Sequence, residues 1–212
     1  MKTASRNNLE QDLRNKCRNV LPVILTIFSL MQLTTDRLFL RPILASDVAA
    51  VYAYRSDAEA NRYQSSVHLT ERDTTDFIHG CASEFGIEGT WFQLAIVSRT
   101  TGKVIGDLGL HTIAGERAAV ELGITLDRRN WGRGYAHESI TGLLTLLFEK
   151  HGILRVVARI DARNSRVVRL LERLGFAPEP LPETPSKNQV CATEEMLYSL
   201  SHQEFQPAKH LR

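Results

Sequence analysis

The stretch RRNWGRGYAHES, residues 128–139, places two glycines between a segment patterned as a strand and one patterned as a helix. With 13 glycines in the chain, a Gly-x-Gly pair arises about once by chance. The pair is therefore evidence for a binding motif only through the residues around it. Free N–H groups at the start of a helix attract anions, and Gly132 and Gly134 would let phosphate oxygens approach the backbone. Three arginines would add cationic donors: Arg128, Arg129 and Arg133. The stretch therefore predicts a phosphate-binding turn, the alternative being a plain turn whose arginines lie in water.

Two common phosphate loops are excluded. A P-loop requires Gly-Lys-Ser/Thr after four intervening residues, and a dinucleotide fingerprint requires glycine or alanine where this chain has His137.

The composition is that of an ordinary soluble globular protein. Of its 212 residues, 43% are hydrophobic and 24% charged, and the formal net charge of +2 gives no bulk electrostatic reason to bind nucleic acid or a membrane surface. The three cysteines are scattered, which favours free thiols in a reducing compartment over disulfides. No metal-ligand spacing is present, so no metal is expected. The reducing compartment that the cysteines favour suggests a cytoplasmic location.

The pattern predicts an α/β (α+β) domain at residues 33–205, with a leader at 1–32 and a tail at 206–212. The leader joins a polar, basic segment to a short apolar run. Two interpretations stay open: a dispensable segment upstream of a true start at Met31, or a targeting segment. The apolar run is too short to span a membrane.

Alternating apolar residues and turn signals predict strands at 37–43, 91–97, 103–111, 118–126 and 154–160 and in EEMLYSL. Gly102 marks a hairpin between the second and third of these strands. Helices are predicted from the Ser46-Asp47 cap to about Asp57, from the Thr70-x-x-Asp73 capping box to about Phe85, from Gly132 to Lys150, and in SRVVRLLERL before Gly175. The segment at 177–186 is expected to be a proline-rich loop. Hairpins followed by a strand–helix–strand–helix unit indicate a mixed sheet with helices on its faces.

The turn also resembles a known family motif. Arg129-x-x-Gly132-x-Gly134 is similar to the Gln/Arg-x-x-Gly-x-Gly/Ala motif of the GNAT superfamily (GCN5-related N-acetyltransferases). Four further blocks resemble the RimJ/RimL-like branch in family order: LTTDRLFLRPILASD, ELGITLDRRNWGRGYAHES, ARIDARNSRVVRLLERLGF and EEMLYSLSHQEF. The resemblance implies a GNAT fold with a mostly antiparallel sheet of six to seven strands, and acetyl transfer from acetyl-CoA to an amine.

The resemblance also implies the cofactor site. The pantetheine arm would pair with the strand before the turn, and the diphosphate would lie at the turn. The residues expected to bind the cofactor are Ile124, Thr125, Leu126, Arg129, Trp131, Gly132, Arg133, Gly134, Tyr135, Ala136 and Asn164. Asn164 is also a candidate helix N-cap, as is Ser165.

A base is needed to deprotonate the attacking amine. Strand periodicity places Glu121 on the face shared with Ala119, Gly123 and Thr125, where a ligand could reach it. Glu121 is therefore the candidate base, directly or through water, and an ion pair with Arg155 or Arg159 is the alternative. His111 is a second candidate because its ordinary pKa suits a base. It is the weaker one because a lone histidine at a strand end is usually just exposed.

Several further expectations complete the site. Asp107, in mid-strand, and Glu138, in a helix whose charges are expected to be solvated, are the weakest candidate bases. The aromatic side chains before the turn are expected in the core: Tyr63, Phe77, Phe85 and Trp91. Val167 replaces the family's serine, a polar contact to the cofactor. Leu171 replaces the tyrosine acid of many acetyltransferases in the wider superfamily, so no acid can be named.

An N-terminal α-amine, with a pKa near 8, is about a tenth neutral at pH 7, whereas a lysine amine is under about a thousandth neutral. A site with one uncertain base and no clear acid therefore favours a protein N-terminus as acceptor. A small amine such as an aminoglycoside, and a CoA-binding module without turnover, are the alternatives. A solvated acidic face is the preferred interpretation of the carboxylates at 70–88. The resembled branch is commonly dimeric, which makes a homodimer compatible with the sequence.

Overall fold

The computed structural model describes residues 31–64, 67–116, 118–181 and 195–206. Most of the predicted leader and of the predicted tail lies outside these ranges. From Leu33 onward the chain forms one compact unit. Within the described ranges, none of the helices combines the length and hydropathy needed to cross a bilayer.

One mixed sheet organises the fold. Its strands are β1 (Leu33–Thr34), β2 (Leu38–Pro42), β3 (Trp91–Ser98), β4 (Val104–Thr112), β5 (Ala119–Leu126), β6 (Arg155–Asp161), β7 (Ala177–Glu179) and β8 (Glu195–Ser201). The α-helices are α1 (Val48–Arg55), α2 (Glu71–Gly80), α3 (Tyr135–Lys150) and α4 (Ser165–Arg173). Single 3₁₀ turns at Ala45–Asp47 and Arg128–Asn130 precede α1 and α3.

The strands lie in the order β1-β2-β3-β4-β5-β6-β8-β7. Neighbours are antiparallel except β5 and β6, which are parallel and joined through α3. The predicted mixed, mostly antiparallel sheet is confirmed, with eight strands instead of six or seven. The extra strands are the two-residue β1 and the three-residue β7, which are too short to give a pattern in sequence.

Local signals in the sequence placed several elements correctly. Gly102 adopts a φ of +66° in the β3–β4 hairpin, a conformation that favours glycine. Thr70 accepts from the Asp73 N–H, and the Asp73 carboxylate accepts from the Thr70 N–H, which confirms the capping box of α2. Gly175, with a φ of +86°, follows the end of α4 as predicted.

Other boundaries were wrong. Helix α2 ends at Gly80 and not near Phe85. The start of α1 was predicted correctly, since Asp47 is its N-cap residue, but the Asp47 side chain makes no capping hydrogen bond to α1. Its carboxylate accepts from the Arg41 guanidinium at 2.7 and 2.8 Å and from the Leu44 N–H at 2.9 Å. The predicted loop at 177–186 begins with β7, which pairs with β8, while residues 182–186 lie outside the described ranges.

A buried charge network ties α1 to the middle of the sheet. The fully buried Asp107 on β4 accepts from the Tyr54 hydroxyl (2.6 Å), from Arg55 Nη2 (2.5 Å) and from Gln93 Nε2 (2.5 Å). Burial and the neighbouring carboxylate raise the pKa of Tyr54 well above its ordinary value, so its hydroxyl remains a donor. The Arg55 guanidinium also lies 4.3 Å from the Phe77 ring centre. Asp107 therefore has a structural role, fixing α1 against β3 and β4.

Replacing one partner of such a pair leaves a buried charge uncompensated. We expect Asp107→Asn to lower the free energy of unfolding by about 3 kcal/mol, measured by urea denaturation. Asp76→Asn is the matched control, because Asp76 and Arg72 form an ion pair of 3.9 Å whose side chains are 70% and 89% exposed. Its effect should stay below about 1 kcal/mol. Equal effects of the two substitutions would contradict this account of Asp107.

Candidate active site

The parallel pairing of β5 and β6 is short. Its register covers Ala119–Arg155, Val120–Val156 and Glu121–Val157, and within the described chain it ends there. Beyond Glu121, the β5 backbone is left without a β6 neighbour. The side chain of Gln64, from the loop after α1, donates to the Ile124 carbonyl at 3.0 Å. The separation opens an edge of β5 to which an extended ligand could hydrogen bond.

The glycine turn lies directly after this edge. Asp127 caps the 3₁₀ turn at Arg128–Asn130, and the Trp131 indole N–H donates to the Leu126 carbonyl at 2.9 Å. Gly132 and Gly134 have φ values of +72° and +78°, a left-handed conformation that other residues rarely adopt. Helix α3 begins at Tyr135, three residues later than predicted. The first N–H groups of this 16-residue helix have no carbonyl partner within the helix and face the turn.

A cleft of about 1430 Å³ joins the two features. Of the residues predicted to bind the cofactor, the following line it: Ile124, Thr125, Leu126, Trp131, Gly132, Gly134, Tyr135, Ala136 and Asn164. Arg129 and Arg133 are not among the lining residues. The Arg129 guanidinium instead donates to the Asp127 carboxylate, with Nη2 at 2.8 Å from Oδ2.

Asn164 combines two roles. It is the N-cap of α4, its side chain accepting from the Val167 N–H at 3.3 Å, and it also lines the cleft. The structure thus selects Asn164 over Ser165 as the cap. Val167 lines the cleft too, whereas Leu171 is 2% exposed and lies in the core. The family pattern has polar side chains at both positions, but in this chain only Val167 faces the cleft.

Glu121 lies where the strands separate. Its carboxylate is 3.8 Å from His111 Nδ1 and 3.8 Å from Arg159 Nε, and its side chain is 18% exposed. Burial raises the pKa of Glu121 above its ordinary value, although Arg159 and His111 act in the opposite direction. The structure therefore brings together the two candidate bases and one of the two predicted arginine partners. The other, Arg155, pairs with Glu179 and with Glu116.

Two aromatic side chains differ from the prediction that they lie in the core. Trp91 is 41% exposed and stacks on the His111 ring with centroids 5.1 Å apart. Its indole occupies space left by Gly109, where a Cβ would stand 3.0 Å from the ring. Tyr63 is half-buried and lines the cleft. Trp91 and His111 thus form an aromatic surface beside Glu121.

Glu138 was expected to be solvated, and this was wrong. Its carboxylate accepts from the Thr35 hydroxyl (2.6 Å), from the Arg37 backbone N–H (2.8 Å) and from Arg37 Nε (2.6 Å). Burial alone would raise the pKa of Glu138, but these hydrogen bonds outweigh it and lower the pKa. Sequence reasoning missed Arg37, since its partner lies 101 positions away.

Comparisons with known proteins agree with this geometry. Residues 37–177 match the family model described as the acetyltransferase (GNAT) domain, which covers more than half of the chain. The chain therefore belongs to the GNAT acetyltransferase family.

Individual proteins are similar to this chain in sequence or in fold. The chain is 27% identical over 173 residues to the uncharacterized N-acetyltransferase p20 of Bacillus licheniformis, covering 82% of this chain and 97% of that protein. Its fold is similar to a GNAT-family acetyltransferase from Bacillus anthracis, with a TM-score of 0.70, 22% identity, and coverage of 82% and 100% of the two chains. It is also similar to spermidine N-acetyltransferase from Vibrio cholerae in complex with CoA and spermine, with a TM-score of 0.66, 14% identity, and coverage of 80% and 98%.

Proposed function

We propose that this protein is an acetyl-CoA-dependent N-acetyltransferase of the RimJ/RimL-like branch, acting on an N-terminal α-amine of a protein such as a ribosomal protein. The observation that carries the proposal is that the unpaired edge of β5 and the glycine turn before α3 border one cleft. An extended arm and a diphosphate belong to one molecule in CoA. No simple phosphate ligand would use both features.

The residues of the cleft fit CoA. The pantetheine amides would hydrogen bond to the Ile124–Leu126 backbone at the open edge of β5. The Ile124 carbonyl, which now accepts from Gln64, would then accept from a pantetheine amide instead. At Gly132, a Cβ would meet no atom within 4 Å, so the backbone there is open to approach by an anion. Bound acetyl-CoA would supply the activated acetyl group as a thioester.

Glu121 is the proposed base, acting directly or through a water molecule. A raised pKa makes a carboxylate a better proton acceptor, provided that it remains ionised at the working pH. Arg159 and His111 limit the rise in the pKa and so help to keep Glu121 ionised. Because the buried Leu171 replaces the family's acid, the thiolate would leave unassisted, which its ordinary pKa of about 8.5 permits.

The α-amine is proposed as acceptor because it needs the least help to become neutral. The half-buried carboxylate of Glu121 and the exposed Trp91 ring lie on one face of the sheet, where they would contact an amine and its neighbouring atoms. A small amine remains the alternative acceptor, and an inactive CoA-binding module is a further alternative.

A β-branched side chain at Gly134 should weaken CoA binding. Gly134→Val forces an unfavourable φ and puts side-chain atoms beside Arg37 Nη2, which would lie 3.3 Å from the new Cβ. We expect CoA affinity, measured by calorimetry, to fall at least about tenfold. Gly102→Val is the matched control, since Gly102 has a similar φ of +66° in the β3–β4 hairpin. It should reduce stability and leave CoA affinity intact; unchanged affinity in Gly134→Val would count against the turn.

Removing the proposed base should slow turnover without affecting CoA. Glu121→Gln is expected to lower kcat about 10²-fold, while the Kd for CoA stays constant. The exposed Glu84 gives the control Glu84→Gln, which should leave both quantities unchanged. A wild-type kcat in Glu121→Gln would remove Glu121 from the mechanism.

The pH dependence supplies a second readout. Because the folded-state pKa of Glu121 is raised, its base form is lost as the pH falls through a value above that of an ordinary glutamate. Protonation of the acceptor amine, whose pKa is near 8, should lower kcat/KM in wild type and variant alike. The wild type should show a further fall that begins at a higher pH than an unperturbed carboxyl would give, and Glu121→Gln should lose this further fall.

The acceptor is tested by incubating the protein with acetyl-CoA and a panel of amines while following thiol release. The panel contains a peptide with a free N-terminus, the same peptide with a blocked N-terminus and a lysine, an aminoglycoside and spermidine. Turnover of the free N-terminal peptide alone supports the proposal. Turnover of a small amine alone favours the alternative enzyme, and CoA binding without turnover favours the inactive module.

A further inference from the structure

We infer that Arg37, in the turn between β1 and β2, binds the diphosphate of CoA through its Nη2 atom. The inference rests on the proposed function, because it assigns a ligand contact within the same cleft. Arg37 lies outside the glycine motif, but it lines the cleft together with Gly132, Gly134 and Tyr135.

The guanidinium of Arg37 is held in one orientation. Nε donates to Glu138 Oε2 at 2.6 Å, and Nη1 donates to the Arg133 carbonyl at 2.9 Å. Its Cζ lies 4.6 Å from the centre of the Tyr135 ring. Two sides and one face of the planar group are therefore in contact with protein, so little side-chain entropy remains to be lost on binding a ligand.

The remaining nitrogen faces the glycine turn. Nη2 lies 3.3 Å from the point that a Cβ on Gly134 would occupy, and the side chain is 47% exposed. Within the part of the chain that the structure describes, Nη2 donates to no protein acceptor. The two N–H groups of Nη2 are thus available beside the free backbone amides. A phosphate group there could accept from the guanidinium and from the backbone at once.

The arginines of the motif itself are placed differently. Arg129 is committed to Asp127, and Arg128 forms an ion pair of 3.4 Å with Asp57. Neither lines the cleft. Arg37, from the first hairpin of the fold, places a guanidinium nitrogen beside Gly134 instead.

The ion pair with Glu138 limits how much Arg37 can contribute to CoA affinity. Its carboxylate is held ionised by its hydrogen bonds, so the Arg37–Glu138 pair carries no net charge. Arg37 would act through directed N–H donors and not through a long-range field. One such charge-assisted bond at a half-exposed position should change affinity about tenfold.

The test compares Arg37→Gln with wild type using three ligands: CoA, dephospho-CoA and pantetheine. Binding is measured by calorimetry, so no acceptor is required. We expect Arg37→Gln to weaken CoA and dephospho-CoA equally, about tenfold, because both carry the diphosphate. Pantetheine, which carries none, should bind the variant and wild type alike.

Arg99→Gln is the matched control. Arg99 supports the same turn from outside the cleft, its Nη1 donating to the Thr35 and Asp36 carbonyls at 2.8 Å. It should leave the affinity for all three ligands unchanged.

Other results would overturn the inference. An equal loss for pantetheine would show that Arg37 only supports the fold, and a loss for CoA but not dephospho-CoA would place the contact on the 3′-phosphate. Unchanged binding of all three ligands would also exclude it. Failure of the wild type to bind CoA would instead overturn the proposed function.

A crystal structure of the wild-type protein with CoA gives an independent measurement if Arg37→Gln does not fold. Nη2 should lie within about 3.2 Å of a diphosphate oxygen. An Nη2 turned away from the diphosphate would exclude the contact.

Discussion

The separation of β5 from β6 after Glu121 is the constraint on which the site depends. Parallel strands normally continue to pair, because each unpaired backbone group loses a hydrogen bond. Here the paired register covers three residues, and the Ile124 carbonyl accepts from the Gln64 side chain instead of from a strand. A strand carbonyl that accepts from a side chain can exchange that hydrogen bond for one to a ligand at a small cost in free energy. A carbonyl that pairs with a neighbouring strand cannot, because the sheet would have to open.

The two ends of the separated strand have different chemistry. At its start, Glu121 lies among His111, Arg159 and the sheet, where partial burial raises its pKa. After its end, Gly132 and Gly134 expose backbone N–H groups at the beginning of α3. One strand thus connects a region suited to proton transfer with a region suited to anion binding. The proposed acetyl transfer would use both regions.

The surrounding network keeps this arrangement rigid. Asp107 is buried under α1 and accepts hydrogen bonds from tyrosine, arginine and glutamine side chains, which fix α1 against β3 and β4. The Thr35–Arg37–Glu138 contacts fix the start of α3 against the first hairpin. Preorganisation of this kind limits the conformational entropy lost when a ligand binds.

The sequence by itself determined the features that depend on neighbouring residues. The Gly102 hairpin, the Thr70–Asp73 capping box and the left-handed Gly132 and Gly134 are all set by φ preferences or by bonds over three positions. The pattern also predicted the mixed sheet. The tertiary structure alone decided which side chains meet across the fold. Arg37 meets Glu138 over 101 positions and Gln64 meets Ile124 over 60. Because such contacts depend on how the sheet and α3 pack together, no local pattern encodes them. Arg129, the arginine that the motif marks, pairs with Asp127 only two positions away, whereas Arg37 reaches Gly134 from the first hairpin of the fold.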